Sequence, residues 1–268
     1  MRKVVLAGGM LAMLVAAGSA SAGIYTDAGV PVSGGGIVGW ATGVSELVRG
    51  PRDIANPAGG LASFGAAADA LGAADGLSLV SLGDGGRITL TFDAPITNGP
   101  GADFAVFENS FVFGGQVFAE LGLVEVSSNG VDFVRFAAVS LTQTSEQLGA
   151  FGGIDATELY NLAGKHEAGF GTGFDLQELA GVGGLDVNAV THVRVVDVVG
   201  RITPADGYVP TVDSLGNIIN DPYVTNFASS GFDFDAVGVI HAAVVVPEPG
   251  AMGVAMAGGV LMLRRRRA

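Results

Sequence analysis

Alternation constrains this chain more than any other feature. In Arg87-Ile88-Thr89-Leu90-Thr91-Phe92 polar and apolar residues strictly alternate, the two-residue period of a strand with one buried face. Asp84-Gly85-Gly86 before it and Asp93-Ala94-Pro95 after it are turn-forming, because glycine tolerates positive φ and proline cannot donate to a ladder. Asn98-Gly99-Pro100-Gly101 marks another sharp loop, ahead of a strand from Phe104 to Phe107. Leu121 to Ser127 and Phe133 to Val139 flank Asn129-Gly130, a strong hairpin signal. Thr191 to Val199 is a β-branched run, and Ala236 to Val246 closes the series. Strands this regular, separated by glycine and aspartate turns, predict an all-β fold, a jelly-roll-like β-sandwich.

Short helical insertions interrupt the strands. Asp155 to Ala163 and Asp175 to Ala180 each begin with an acidic N-cap, carry a glutamate three residues later and are followed by glycine. Ala58 to Leu71 has the composition for one further helical turn.

The two ends of the chain read differently from its body. Arg2 and Lys3 precede an apolar run from Val4 to Ala17, and Gly18-Ser19-Ala20-Ser21-Ala22 follows. Ala20 and Ala22 are small residues where a signal peptidase needs them, so residues 1–22 are expected to be a secretory signal peptide cleaved after Ala22. At the other end, Pro247-Glu248-Pro249 leads into the apolar run Ala251 to Leu263, which stops at Arg264, Arg265, Arg266 and Arg267. A helix breaker, a membrane-seeking segment and a cationic stop that stays cytoplasmic follow in that order. Gly250 to Leu263 is 14 residues. As a helix it spans roughly 21 Å, against a hydrocarbon core of about 30 Å. A transient signal tolerates that mismatch better than a permanent anchor does. This tail resembles the PEP-CTERM sorting signal of exported bacterial proteins. The resemblance implies an exosortase partner in the inner membrane and delivery to the cell surface or extracellular matrix. An ordinary C-terminal anchor is the competing reading.

Residues 23–246 are then the secreted domain, and 247–268 the sorting tail. Of 13 basic residues only seven fall in that domain, against 25 of the 26 acidic ones. A net charge near −18 argues against nucleic acid and anionic lipid as partners and favours cations. The chain has no cysteine, so a disulfide-free exported body needs a substantial core, bound metal, or both.

Two weaker resemblances lie within the body. Ala70-Leu71-Gly72, then Gly83-Asp84-Gly85-Gly86-Arg87-Ile88-Thr89-Leu90, and later Val124-Glu125-Val126-Ser127-Ser128-Asn129-Gly130-Val131-Asp132-Phe133 resemble discoidin-type, galactose-binding-like jelly rolls. Asp103-Phe104-Ala105-Val106-Phe107-Glu108-Asn109, Asn161-Leu162-Ala163-Gly164-Lys165-His166, Asn220-Asp221-Pro222 and Gly231-Phe232-Asp233-Phe234-Asp235-Ala236-Val237-Gly238 resemble a group of uncharacterised bacterial cell-surface proteins. The second resemblance implies a surface location without a settled activity.

Strand parity places several carboxylates on apolar faces. Glu108 shares a side with Phe104 and Val106, Asp197 with Val193 and Val195, and Asp233 and Asp235 with Val237 and Val239. A carboxylate so placed must be paired, neutralised or bound to a cation. Glu108, Asn109, Asp197, Asp233 and Asp235 are therefore expected to ligate a structural Ca²⁺, which favours oxygen donors. Ion pairs with Arg87, Arg135, Arg194 or Arg201, or exposure at strand ends, are the alternatives.

Catalytic patterns are largely missing. His166-Glu167 is no zincin motif because Phe170 stands where the second histidine belongs. Gly-x-Ser-x-Gly does not occur, and no glycine run forms a phosphate loop. Lys165-His166 in a glycine-rich loop is the most reactive-looking spot, and loop structure explains it as well. The expectation is a non-enzymatic binding or structural module of the cell surface, in contact with glycan or exopolysaccharide. The alternatives are a secreted carboxylate-dependent glycan hydrolase and a passive coat component.

Overall fold

A computed structural model describes residues 23–205 and 207–244. The expected signal peptide with Ala20 and Ala22, and the sorting tail from Pro247 to Arg267, lie outside the described residues. Among those described, no helix is long and apolar enough to cross a membrane.

The fold is all-β and its strand pairings are antiparallel. One six-stranded sheet runs Val30–Pro31, Phe170–Phe174, Phe104–Glu108, Asp233–Val239, Gly39–Trp40, with Val80–Ser81 also on Asp233–Val239. The other runs Val134–Arg135, Gly122–Ser127, Val190–Asp197, Arg87–Ile96, Gly43–Val48, with Leu162–Ala163 also on Gly122–Ser127. One buried cluster draws on both sheets: Phe104, Val106, Phe174, Phe234 and Val237 from the first, Ile88, Leu90, Val124, Val126, Val193 and Val195 from the second. Phe104 stacks on Phe174 at 5.4 Å, and Phe136 meets both rings at 5.9 and 5.1 Å. Such aromatic contacts add about 0.5–1.5 kcal/mol each beyond area burial.

The alternation in Arg87–Ile96 has the expected effect: Ile88 and Leu90 are fully buried. Thr89, on the opposite face, is buried as well, under an ionic network. Glu46 holds Arg87 at 2.8 Å, and Arg194 lies between Glu46 and Glu125 at 3.5 and 3.4 Å. The Asn129-Gly130 hairpin forms, with Val134 opposite Val126 and Gly130 at φ 75°.

Helix content is lower than the capping signals suggest. Asp155 accepts from the Thr157 N–H at 2.9 Å, but only the 3₁₀ turn Ala156–Glu158 follows. Leu159–Tyr160 then pairs with Val139–Ser140, and Leu162–Ala163 with Gly122–Ser127. Sheet pairing outcompetes a helix too short to repay its nucleation. Asp175 likewise caps only the 3₁₀ turn Leu176–Leu179. Glu178 closes no capping box there; it accepts from Asn161 Nδ2 at 2.6 Å. The 58–71 stretch holds two 3₁₀ turns, Pro57–Gly59 and Ala67–Ala70.

Candidate functional site

Sheet register gathers carboxylates at one end of the molecule. Glu108 ends its strand opposite Phe234, next to Asp233, which starts the neighbouring strand opposite Ser81. In the other sheet Asp197 ends its strand opposite Gly122, two residues after Glu120. Asp197 also ties the sheets together: Oδ1 accepts from Phe232 N–H at 2.6 Å and Oδ2 from Gly85 N–H at 2.8 Å.

These groups differ in how well they are satisfied. Asp235 accepts from the Asp75 and Gly76 N–H groups at 3.3 and 2.9 Å. Asp233 accepts from the Ser81 hydroxyl. Asp84 accepts from Ile54 N–H at 2.6 Å, and Asp221 Oδ2 from Leu121 N–H at 2.9 Å. Glu108 Oε2 accepts from Ser110 N–H at 2.7 Å. Glu108 Oε1 and Asp221 Oδ1 are buried without a partner among the described residues. Glu120 is 4 % exposed, and no protein hydrogen bond supports its carboxylate among the described residues.

The arginines do not serve these carboxylates. Arg87, Arg135 and Arg194 pair with Glu46 and Glu125, and Arg194 also covers the Phe133 ring at 3.5 Å. Arg201 donates to the Thr203 carbonyl at 2.9 Å and lies over Tyr223. Arg49 stands near Asp233, but its guanidinium donates to the carbonyls of Phe64, Gly65 and Ser81.

Protonation follows from this placement. Burial, then the charges of Asp233, Glu108, Asp221 and Asp197, push Glu120 well above the ordinary carboxyl range. Glu108, Asp197 and Asp221 rise for the same first reason, burial, with neighbouring carboxylates adding to it. Burial raises Asp233 to about 6, against the Ser81 hydroxyl and Arg49. Asp84 also reaches about 6, through burial.

A pocket of about 300 Å³ opens over this cluster. Its apolar wall is Phe111, Phe118, Phe151 and Phe227; its polar groups include Asn109, Glu120, Thr225 and Asp233. Phe111 and Phe118 stack at 4.9 Å, Phe118 meets Phe151 at 5.7 Å, and Phe151 meets Phe227 at 6.1 Å. The first two rings sit on a hairpin, Phe111–Phe113 with Gln116–Phe118, turned by Gly114 and Gly115 at φ 61° and 83°. Positive φ at both turn positions is what a two-residue hairpin requires. Val117 bridges to Ile154, fixing the hairpin beside the Phe151 loop.

Of the expected metal ligands, Asn109 and Asp233 border this pocket, and Glu108 lies behind it. Asp197 and Asp235 have both oxygens on backbone N–H groups. Among the described residues no three histidines or carboxylates are arranged to hold one metal ion. Glu120 and the phenylalanine hairpin were not singled out from the sequence, although Phe-Val-Phe-Gly-Gly-Gln-Val-Phe at 111–118 carries a Gly-Gly hairpin signal.

Lys165 and His166 are held by structure. Lys165 is 2 % exposed, pairs with Asp27 and donates to the Leu159 carbonyl at 2.7 Å, while His166 Nε2 meets Asp27 at 2.7 Å. Burial alone would raise Asp27, but the hydrogen bonds from His166 and Lys165 outweigh it and hold that carboxyl well below its usual range. The 290 Å³ pocket beside Lys165 therefore offers partnered charges, with Glu178 bound to Asn161. The phenylalanine pocket offers one carboxylate, Glu120, with no hydrogen-bond partner among the described residues.

Compared with known proteins, the chain matches no family model and no curated protein.

Proposed function

We propose that this protein is an exported, jelly-roll-like β-sandwich that binds glycan at the cell surface or in the extracellular matrix without turning it over. The observation that carries the reading is the pocket at 109–120, 150–151 and 225–233. Phenyl rings suited to sugar faces stand over polar groups suited to hydroxyls, the mix of mostly apolar lining and few polar contacts that small-ligand sites use. Phe151 and Phe227 are 72 % and 49 % exposed, so the wall is open to a chain-like ligand. Export rests on the sequence: signal peptidase acting after Ala22, then an exosortase acting on the tail at Pro247-Glu248-Pro249. A Ca²⁺ ion at Asn109 and Asp233 is the competing occupant of this pocket.

Binding of the purified protein to a panel of surface polysaccharides tests the reading. Phe151→Ala should weaken retention at least tenfold without changing the melting temperature. Equal retention of both proteins would place the glycan elsewhere, and no retention of either would leave a passive coat component. A second reading, glycan hydrolysis, draws support from Glu120 and Asp233. Both line the pocket with raised proton affinity, and glycosidases use such a pair as acid and base. Turnover lost in Glu120→Gln or Glu108→Gln would select that reading.

A further inference from the structure

We infer that the phenylalanine pocket takes a glycan bearing a protonated amine, a de-N-acetylated amino sugar, with its ammonium seated between the rings and the carboxylates of Glu120 and Asp233. The inference rests on the glycan reading above and names the ligand class within it.

Charge is the first argument. Glu120 is 4 % exposed, faces the pocket and has no hydrogen-bond partner among the described residues, while Glu108 behind it leaves Oε1 unpartnered. Carboxylates in such a place require a cation or a proton. The lining contributes no lysine, arginine or histidine. Arg49, the nearby guanidinium, is held by three backbone carbonyls. A neutral sugar brings Glu120 no counter-charge and leaves it to its proton, and a uronic acid adds one more negative charge to the cluster.

The second argument is the wall. Four phenyl rings in series line the pocket, and a desolvated cation that meets a ring face gains through the ring quadrupole. An ammonium has three donors and no acceptor, which suits two carboxylates and the Asn109 or Thr225 oxygens. Ca²⁺ asks for six to eight oxygens. Four of the ten residues lining this pocket are phenylalanine, and among the described residues no three histidines or carboxylates converge on one ion.

Proton exchange accompanies the binding. Carboxylates of Glu108, Asp197, Asp221 and Asp233 surround Glu120, with Arg49 beside Asp233. Burial and these carboxylates favour the proton on Glu120 in the empty pocket, and an arriving ammonium favours its release. Affinity therefore rises with pH until the amine itself loses its proton.

Calorimetric titration of the full chain with glucosamine oligomers, N-acetylglucosamine oligomers, a neutral glucan oligomer and CaCl₂ tests this. The expected result is at least tenfold tighter binding of the glucosamine oligomer than of its acetylated counterpart, weakened by salt. Glu120→Gln should remove that preference, and Phe151→Ala should weaken both ligands. Equal affinity for charged and acetylated oligomers would overturn the ammonium assignment and leave the glycan reading standing. No affinity for any oligomer would overturn both. Ca²⁺ that binds in the wild type, fails in Glu120→Gln and displaces the glucosamine oligomer would assign the pocket to a divalent cation instead.

Discussion

Glu120 and Lys165 are both buried ionisable side chains, and their surroundings give them opposite roles. Lys165 has a carboxylate and a carbonyl in reach; Glu120 has neighbouring carboxylates. Removing Lys165 leaves Asp27 without its ammonium and the Leu159 carbonyl without that donor. Breaking such a buried pair costs about 3–5 kcal/mol, and half-exposure of Asp27 places Lys165→Met near or below the lower end. Chemical denaturation with a midpoint unchanged by that substitution would contradict the account. Glu120→Gln should act in the other direction. The raised proton affinity of Glu120 means that its ionisation weakens the folded state. The variant should melt higher than wild type at pH 7.5. The difference should shrink as the pH is lowered toward the ordinary carboxyl range.

At the scale of elements, the hairpin 111–118 carries two of the four rings and belongs to neither large sheet. Its turn glycines have no atom within 4 Å of a built Cβ, so a side chain there meets no steric neighbour. The cost of substitution is conformational, about 1–2 kcal/mol for a left-handed residue. Gly115→Val should therefore lower stability only modestly while disordering the wall, and ligand retention should fall well beyond the change in melting temperature. A fall in melting temperature without a loss of binding would separate the hairpin from the site. Gly65 is a different case, since a Cβ there meets the Leu79 carbonyl oxygen at 1.7 Å and φ is +72°. Its requirement for glycine is both steric and conformational.

At the scale of the molecule, the buried carboxylates set how stability varies with pH. A carboxyl whose folded proton affinity exceeds its unfolded one stabilises the fold while protonated and loses that contribution as pH rises. Asp84 and Asp233, raised from 3.8 to about 6, lose it between about pH 4 and 6, on the order of 3 kcal/mol each. Glu108, Glu120, Asp197 and Asp221 extend the loss to higher pH. Asp27 and Asp213 oppose the trend at low pH. Their folded proton affinities lie below ordinary despite burial, Asp213 through hydrogen bonds led by Ser140 N–H, so their contribution is lost as pH falls. The ligand-free protein should therefore melt highest near pH 4 and progressively lower toward pH 8. Calorimetric melts across pH 3–8 check this, and a maximum at pH 7.5 without added cation would contradict it. A bound cation should restore the loss at neutral pH, and melts in chelator show whether Ca²⁺ is that cation.

Local chemistry already determined much of this protein: the two-residue period of Arg87–Phe92, the Asn129-Gly130 turn, the burial of Glu108 and Asp197 by parity, and the 3₁₀ caps at Asp155 and Asp175. These depend on neighbours within a few residues, whose backbone preferences act whatever the rest of the chain does. Only the tertiary structure decided what the carboxylates meet. Asp197 and Phe232 are 35 positions apart and Glu120 and Asp233 more than a hundred, and parity says which face a side chain takes without saying what stands opposite. Backbone N–H groups from remote loops satisfied Asp197 and Asp235. The same folding left Glu120 in a pocket lined by four phenyl rings with no hydrogen-bond partner among the described residues, because non-local packing brought five carboxylates to one end while Arg87, Arg135 and Arg194 pair with Glu46 and Glu125 on the second sheet.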